Sequence, residues 1–173
     1  WSSYTKIKIK GRVLNIFLNK KILIYGLGKS GLSTFKFLKN KSDIFLYDDY
    51  LSKIKSLDIK KNLISYKNIL KLEFDQIILS PGIDINKCKL SKFLKKNHSK
   101  IYSDLDVFYS FFKNDCITIT GTNGKSTTCQ LMYEILLDQK LKVKLVGNIG
   151  NPILSVKNVK KKRFLLLKLL HTN

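Results

Sequence analysis

Residues 121–127 read Gly-Thr-Asn-Gly-Lys-Ser-Thr, and this spacing of glycine, lysine and hydroxyl side chains suits the tail of a nucleoside triphosphate. Glycines let the backbone turn until several N–H groups converge on phosphate oxygens, and a helix starting at the loop adds its positive end. Gly121, Thr122, Asn123, Gly124, Lys125, Ser126 and Thr127 are therefore candidate ATP-binding residues. Lys125 supplies a point charge for the outer phosphates and Ser126 a hydroxyl for Mg2+, which makes these two the candidate catalytic pair and Ser126 the candidate metal ligand. The common G-x-x-x-x-G-K-[ST] spacing would need glycine at 119, where Ile119 stands, so the loop is a shortened variant. A polar strand-to-helix turn with a Ser or Thr cap is the competing explanation. Two glycines and Lys-Ser-Thr, with a strand before and a helix after, weigh against it.

A second candidate is "GLGKSG", Gly26 to Gly31, which fits G-x-G-x-x-G, with Asp48 at the end of the next strand where a ribose-binding acid belongs. A diphosphate on that helix N-terminus is physically sensible, and nothing in the motif compels NAD. A tight turn of any α/β fold explains it equally well. "SPGI", Ser80 to Ile83, ends a strand at the edge where open α/β sheets bind ligands, and "GNIGNP" sets the Asn148 amide at another strand end, able to donate to a ligand oxygen. Plain turns account for both patterns as well.

The elements that would position these residues alternate between strand and helix. "KILIYG" (Lys21 to Gly26) is a compact apolar run, and Leu32, Phe35 and Leu38 after it share one helical face. "DIFLYDD" (Asp43 to Asp49) predicts a strand, "FDQIILSPGI" (Phe74 to Ile83) another stopped by Pro81 and Gly82, and "KIYSDLDVFY" a strand end with a short helix. A new unit begins near Asn114: "CITITG" as strand, then a helix from Ser126 whose buried stripe is Thr128, Leu131, Met132 and Ile135. "LKVKLVGNIG" (Leu141 to Gly150) follows as strand and turn, and "RFLLLKLL" as one more strand. Such alternation predicts an α/β fold with parallel sheets, divided at 1–112 and 113–173. About 60 residues is too few for a complete doubly wound nucleotide domain, so 113–173 is expected to be an incomplete, poorly stable unit on its own.

Composition narrows the function classes. The formal net charge is +21, yet Arg12 and Arg163 are the only arginines, alanine is absent, and lysine is spread through every segment. Scattered lysine without an arginine-and-aromatic platform reads as solvated surface, so neither nucleic acid nor membrane is expected as a partner. The apolar runs are too short to cross a bilayer and no secretory leader is evident, which predicts a cytoplasmic protein. Cys88, Cys116 and Cys129 lack metal-ligand spacing and suit reduced thiols; His98 and His171 stand far apart, giving a zinc site little support.

Taken in order, "GLGKSG", "SPGI", "GTNGKST" and "GNIG" resemble the Mur ligase family over about Lys20 to Pro152, and "SDLDVF" (Ser103 to Phe108) is similar to the family's acidic stretch before its second domain. "GTNGK" is specific to Mur and folylpolyglutamate-type ligases, and "GLGKSG" with "GNIG" is similar to the branch that adds D-glutamate. The resemblance implies a three-domain enzyme: a Rossmann-like domain for the UDP moiety, here 1–112; an ATP-binding central domain, here begun at 113–173; and a third domain. It implies that ATP phosphorylates the carboxylate of UDP-N-acetylmuramoyl-L-alanine and that the amine of D-glutamate attacks the acyl phosphate, with Mg2+ neutralising charge. By motif, Gly28, Lys29 and Ser30 would lie along the uridine diphosphate, Asp48 near the uracil or ribose with Gly82 beside it, and Asn148 toward the muramoyl side. A monomer is expected.

The chain also departs from that pattern. Where the family has Glu-[Leu/Ile]-Ser-Ser-[Tyr/Phe]-Gln with a Mg2+-binding glutamate, this chain reads "KLLHTN", so Lys168 holds the glutamate position and should repel the metal. Asp48 is followed by Asp49 and Tyr50 where the family has Asp-Thr or Asp-Ser. Codons for Leu169 to Asn173, shifted by one or two bases, can spell Ser-Tyr-Gln; a broken reading frame, a front-end fragment lacking its initiator methionine and an inactive product are the corresponding expectations. Three rivals stay open. A dinucleotide-binding oxidoreductase would explain "GLGKSG" but not "GTNGKST", a nucleic-acid-binding protein would explain the charge, and another Mur or folylpolyglutamate-type ligase would share the loop.

Overall fold

The computed structural model describes residues 8–9, 12–13, 15–50, 57–112, 116–119, 123–147, 151–155 and 164–168. A short antiparallel pair, β1 (Lys8–Ile9) and β2 (Arg12–Val13), precedes the main body. Then come β3 (Lys21–Tyr25), α1 (Lys29–Leu38), β4 (Asp43–Tyr47), α2 (Tyr66–Ile69), β5 (Gln76–Leu79), α3 (Ser91–Lys96), β6 (Ile101–Tyr102) and α4 (Asp104–Phe111). The four longer-range strands form a parallel sheet of order β4-β3-β5-β6.

Ile22, Leu23, Ile24 and Tyr25 are all fully buried, which is why β3 is a continuous apolar run rather than an alternating one: helices cover both faces of its sheet. Alternate side chains take opposite faces. Ile22 and Ile24 join Phe35 and Leu38 of α1 and Val107 and Phe108 of α4; Leu23 and Tyr25 join Ile69, Leu90 and Leu94 on the other side. Each such burial contributes roughly 1.5–3 kcal/mol. α4 starts where Ser103 caps it: Ser103 N donates to Asp106 Oδ2 at 2.7 Å, while Asp106 N donates back to Ser103 Oγ.

Beyond α4 lie β7 (Cys116–Ile119), α5 (Lys125–Asp138), β8 (Val143–Gly147) and β9 (Phe164–Lys168). Their sheet is parallel with order β7-β9-β8, so the strand latest in the chain is the central one. Its register sets Lys168 opposite Ile119 on one side and Gly147 on the other, at the carboxyl edge of the sheet. Between β8 and β9 the helical turn Ile153–Ser155 seats on α1 and α4, and Ile153 and Leu154 enter the core beneath α1 together with Val146.

The α/β class and parallel sheets agree with the pattern of the sequence. The buried stripe of α5 does not. Of Thr128, Leu131, Met132 and Ile135, only Met132 packs inward; Thr128 is exposed, and Leu131 and Ile135 are 58% and 47% exposed. The inward set is Cys129, Met132, Tyr133 and Leu136, against Val143 and Leu145. α5 is apolar around much of its circumference, so periodicity alone does not choose its phase. The strand expected at Phe74 to Ile83 is only Gln76–Leu79, because Ser80 opens a turn closed by Ile83 N donating to Ser80 O at 3.0 Å. No described helix is long and apolar enough to cross a membrane.

Candidate nucleotide site

β3 pairs with β4 on one side and β5 on the other, so the connections leaving the carboxyl end of β3 diverge and open a crevice there. A cavity of about 500 Å³ fills it. Gly28, Lys29 and Ser30 line it from the turn after β3, Asp48 and Tyr50 from the end of β4, and Gly82 from the turn after β5. Gly147 and Pro152 close a further wall.

The glycines of "GLGKSG" divide by task. Gly26 has φ +94, and a Cβ on it would come within 2.8 Å of Ser80 Cβ. A Cβ on Gly31 would stand 1.9 Å from Gly26 O, so only glycine lets α1 start this close to β3. Ser80 Oγ donates to Gly26 O at 2.6 Å and ties β5 to the same turn. At Gly28 and Gly82, by contrast, a Cβ would meet nothing within 4 Å: these two face open space and leave the backbone accessible to a ligand.

Charge around the cavity is tied down by backbone donors. Asp48 Oδ2 accepts from Leu27 N at 2.7 Å and its Oδ1 from Tyr50 N at 2.9 Å, which fixes the carboxylate between two loops. Lys89 Nζ donates to Asp49 O at 3.0 Å. Burial, and next the charge of Asp49, pushes the Tyr47 phenol up to about 12; burial followed by Asp49 and Cys88 raises Tyr25 further, so both phenols stay neutral. Beneath the α1 turn, Ser30 Oγ donates to Asp104 Oδ2. Asp104 is 8% exposed, and its burial raises its carboxyl above the ordinary aspartate range while the Ser30 bond partly offsets that rise.

At the second loop the description starts at Asn123; Gly121 and Thr122 lie outside the described residues, as does Asn148. Gly124 takes the left-handed conformation, φ +74, as N-cap of α5, and Thr128 N donates to its carbonyl at 2.9 Å. A Cβ on Gly124 would meet nothing within 4 Å. Lys125 and Ser126 form the first turn of the 14-residue α5, with Lys125 half-buried and Ser126 and Thr127 exposed. An open, glycine-capped helix N-terminus bearing an ammonium and two hydroxyls has the donor set that a triphosphate tail and its divalent cation require.

The first cavity thus gathers Gly28, Lys29, Ser30, Asp48 and Gly82, and the start of α5 gathers Asn123 to Thr127. Sequence reasoning missed Asp104 as a neighbour of Ser30 and missed the Gly147 and Pro152 wall. The acidic "SDLDVF" stretch was the available signal, but 74 residues separate Ser30 from Asp104.

Two parallel sheets, one with a cavity at its switch point and one whose glycine-capped helix carries Lys-Ser, define an α/β protein of the Rossmann-like class. Residues 20–101 match the Mur ligase MurD-like N-terminal domain, and residues 119–171 match the Mur ligase middle domain. The chain belongs to the Mur ligase family. It is 39% identical over 151 residues to a UDP-N-acetylmuramoylalanine--D-glutamate ligase of Rickettsia prowazekii, covering 83% of this chain and 33% of that protein. A protein of the same name from Francisella philomiragia is 39% identical over 145 residues (80% and 32%), and one from Lachnoclostridium phytofermentans 36% over 146 (79% and 32%). The chain spans about a third of the length of the curated relatives it matches.

Proposed function

We propose that the chain is the nucleotide-handling portion of an ATP-dependent ligase that joins D-glutamate to UDP-N-acetylmuramoyl-L-alanine. The reading is supported by relatives bearing that name and above all by one observation: the switch-point cavity is edged by two glycines open to it, Gly28 and Gly82, with Lys29 and Ser30 between helix and ligand space. Residues 1–112 would hold the UDP-linked substrate, with Asp48 toward the uridine and Asn148 toward the sugar, and residues 113–173 would begin the ATP unit.

In this reading Gly121 to Thr127 form the ATP cradle. The N–H groups of the loop and the α5 terminus orient the phosphates, Lys125 neutralises charge that builds as the terminal phosphoryl moves to the substrate carboxylate, and Ser126 offers an oxygen to the cation. Mg2+, when bound, spreads that charge further. The chemistry is positioning and neutralisation; these groups need form no covalent bond. With Lys168 at the carboxyl edge of β9, the chain itself is proposed to bind its ligands without turnover. A cytoplasmic monomer goes with this reading.

Calorimetry tests it. The chain should take up UDP-N-acetylmuramoylalanine, and Mg-ATP separately, with Lys125→Ala abolishing only the second. Tight NADH binding without UDP-sugar binding, or an unchanged Mg-ATP isotherm in Lys125→Ala, would overturn it.

A further inference from the structure

Ser30 stands between two masters. Its side chain belongs to the cavity turn, yet its only proton is directed away from the cavity, to Oδ2 of the buried Asp104 at the start of α4. A hydroxyl that spends its proton this way offers a ligand only lone pairs, and phosphate oxygens, being acceptors, need a donor. We infer that Asp104 decides which partner the Ser30 proton serves, and that seating a diphosphate on the α1 turn is coupled to uptake of one proton by Asp104.

The balance is simple. One proton passes from solvent to the Asp104 carboxyl, the new O–H donates to Ser30 Oγ, and Ser30 turns its own O–H toward a phosphate oxygen; no heavy atom need move. Burial raises the Asp104 carboxyl above the ordinary aspartate range, while donation from Ser30 and from the backbone N–H groups of Leu105 and Asp104 opposes that rise. On the cavity side of Ser30 the same cavity is lined by Asp48, Asp49, Asp84, Lys87 and Cys88. Asp106, on α4 itself, raises Asp104 slightly and is engaged by Ser103. Lys29 precedes Ser30 on α1, β6 contributes Tyr102, and the turn Ile153–Ser155 contributes none.

This inference rests on the reading of the cavity as a diphosphate site, and the experiment separates the two. UDP-N-acetylmuramoylalanine is the probe, because both of its phosphates are esterified and it carries no group that titrates near neutrality. Calorimetry is run in buffers of different protonation enthalpy from about pH 5 to about pH 8. Uptake approaching one proton per ligand is expected on the alkaline side, with affinity falling by up to about tenfold per pH unit there. Asp104→Asn and Ser30→Ala should each abolish the uptake and flatten the pH profile, whereas a merely structural role would lower thermal stability and leave the proton count intact. Should Asp104→Asn fail to fold, Ser30→Ala carries the test alone. Binding without proton exchange, or an unchanged uptake in the variants, overturns the coupling and leaves the site standing; no binding at any pH overturns both.

Discussion

Leu27 N donates to Asp48 Oδ2 at 2.7 Å, joining the turn after β3 to the end of β4 across 21 residues. The second oxygen of the same carboxylate accepts from Tyr50 N, so one side chain sets the shape of two walls of the cavity. Hydrogen bonds to a charged partner contribute about 1.5–3 kcal/mol each, and losing the acceptor leaves two amides to find water. Asp48→Ala should lower unfolding free energy by about 2 kcal/mol in urea titrations and weaken UDP-sugar binding. Asp48→Asn, which keeps one acceptor, should lie between the variant and the parent.

The glycines of the first motif should separate stability from binding. Gly31→Ala forces a methyl to within 1.9 Å of Gly26 O and should cost about 3 kcal/mol or prevent folding. Gly28→Ala, whose methyl meets nothing within 4 Å, should leave the melting temperature nearly unchanged while weakening UDP-sugar affinity. Paired melting and calorimetric measurements on the two variants check this; equal effects on both readouts would contradict the division.

Asp104 predicts a pH dependence of folding. Its folded-state pKa lies above the ordinary aspartate range, so the folded protein holds that proton more tightly than the unfolded chain. The stabilisation is complete below the unfolded value and is lost as pH rises through the folded one. Relative to the parent, Asp104→Asn should therefore gain stability as pH rises from about 4 to neutrality, measured by chemical denaturation across that range.

Leu131 and Ile135 place an apolar pair on the outer face of α5. Leu131→Gln with Ile135→Gln should cut binding of a hydrophobic dye and raise solubility without lowering the melting temperature. A large drop in melting temperature would show that the pair is buried in solution.

Lys168 lies in register with Ile119, the last residue of the strand that leads into the proposed phosphate loop. Lys168→Glu should raise the affinity for ATP in Mg2+ and have a smaller or opposite effect in EDTA, because a carboxylate there attracts the divalent cation and repels bare phosphates. Competition against a fluorescent ATP analogue under both conditions measures the difference.

The parts of the fold that sequence revealed were those in which a single segment carries its own signal. β3 shows as an unbroken apolar run because both its faces are buried, and Gly26 and Gly31 punctuate the turn because two backbone approaches forbid a side chain. α5 concealed its phase because Leu131 and Ile135 imitate core residues, and only the position of the β7-β9-β8 sheet selects Cys129, Tyr133 and Leu136 beside the expected Met132. The Ser30 to Asp104 link was hidden for another reason: neither residue announces a partner, and only the folding of α1 against α4 brings them together.

The sheet order β7-β9-β8 has a consequence for biosynthesis. A growing polypeptide exposes β7 and β8 while the strand that must lie between them is still unmade, so among the described residues neither gains its neighbouring strand until Phe164–Lys168 emerges. The first sheet obeys no such delay, since every one of its strands precedes residue 103. Assembly is therefore vectorial: the first sheet is made before the second begins, and the crevice at its carboxyl edge gains its last wall only when Gly147 and Pro152 arrive with the second unit.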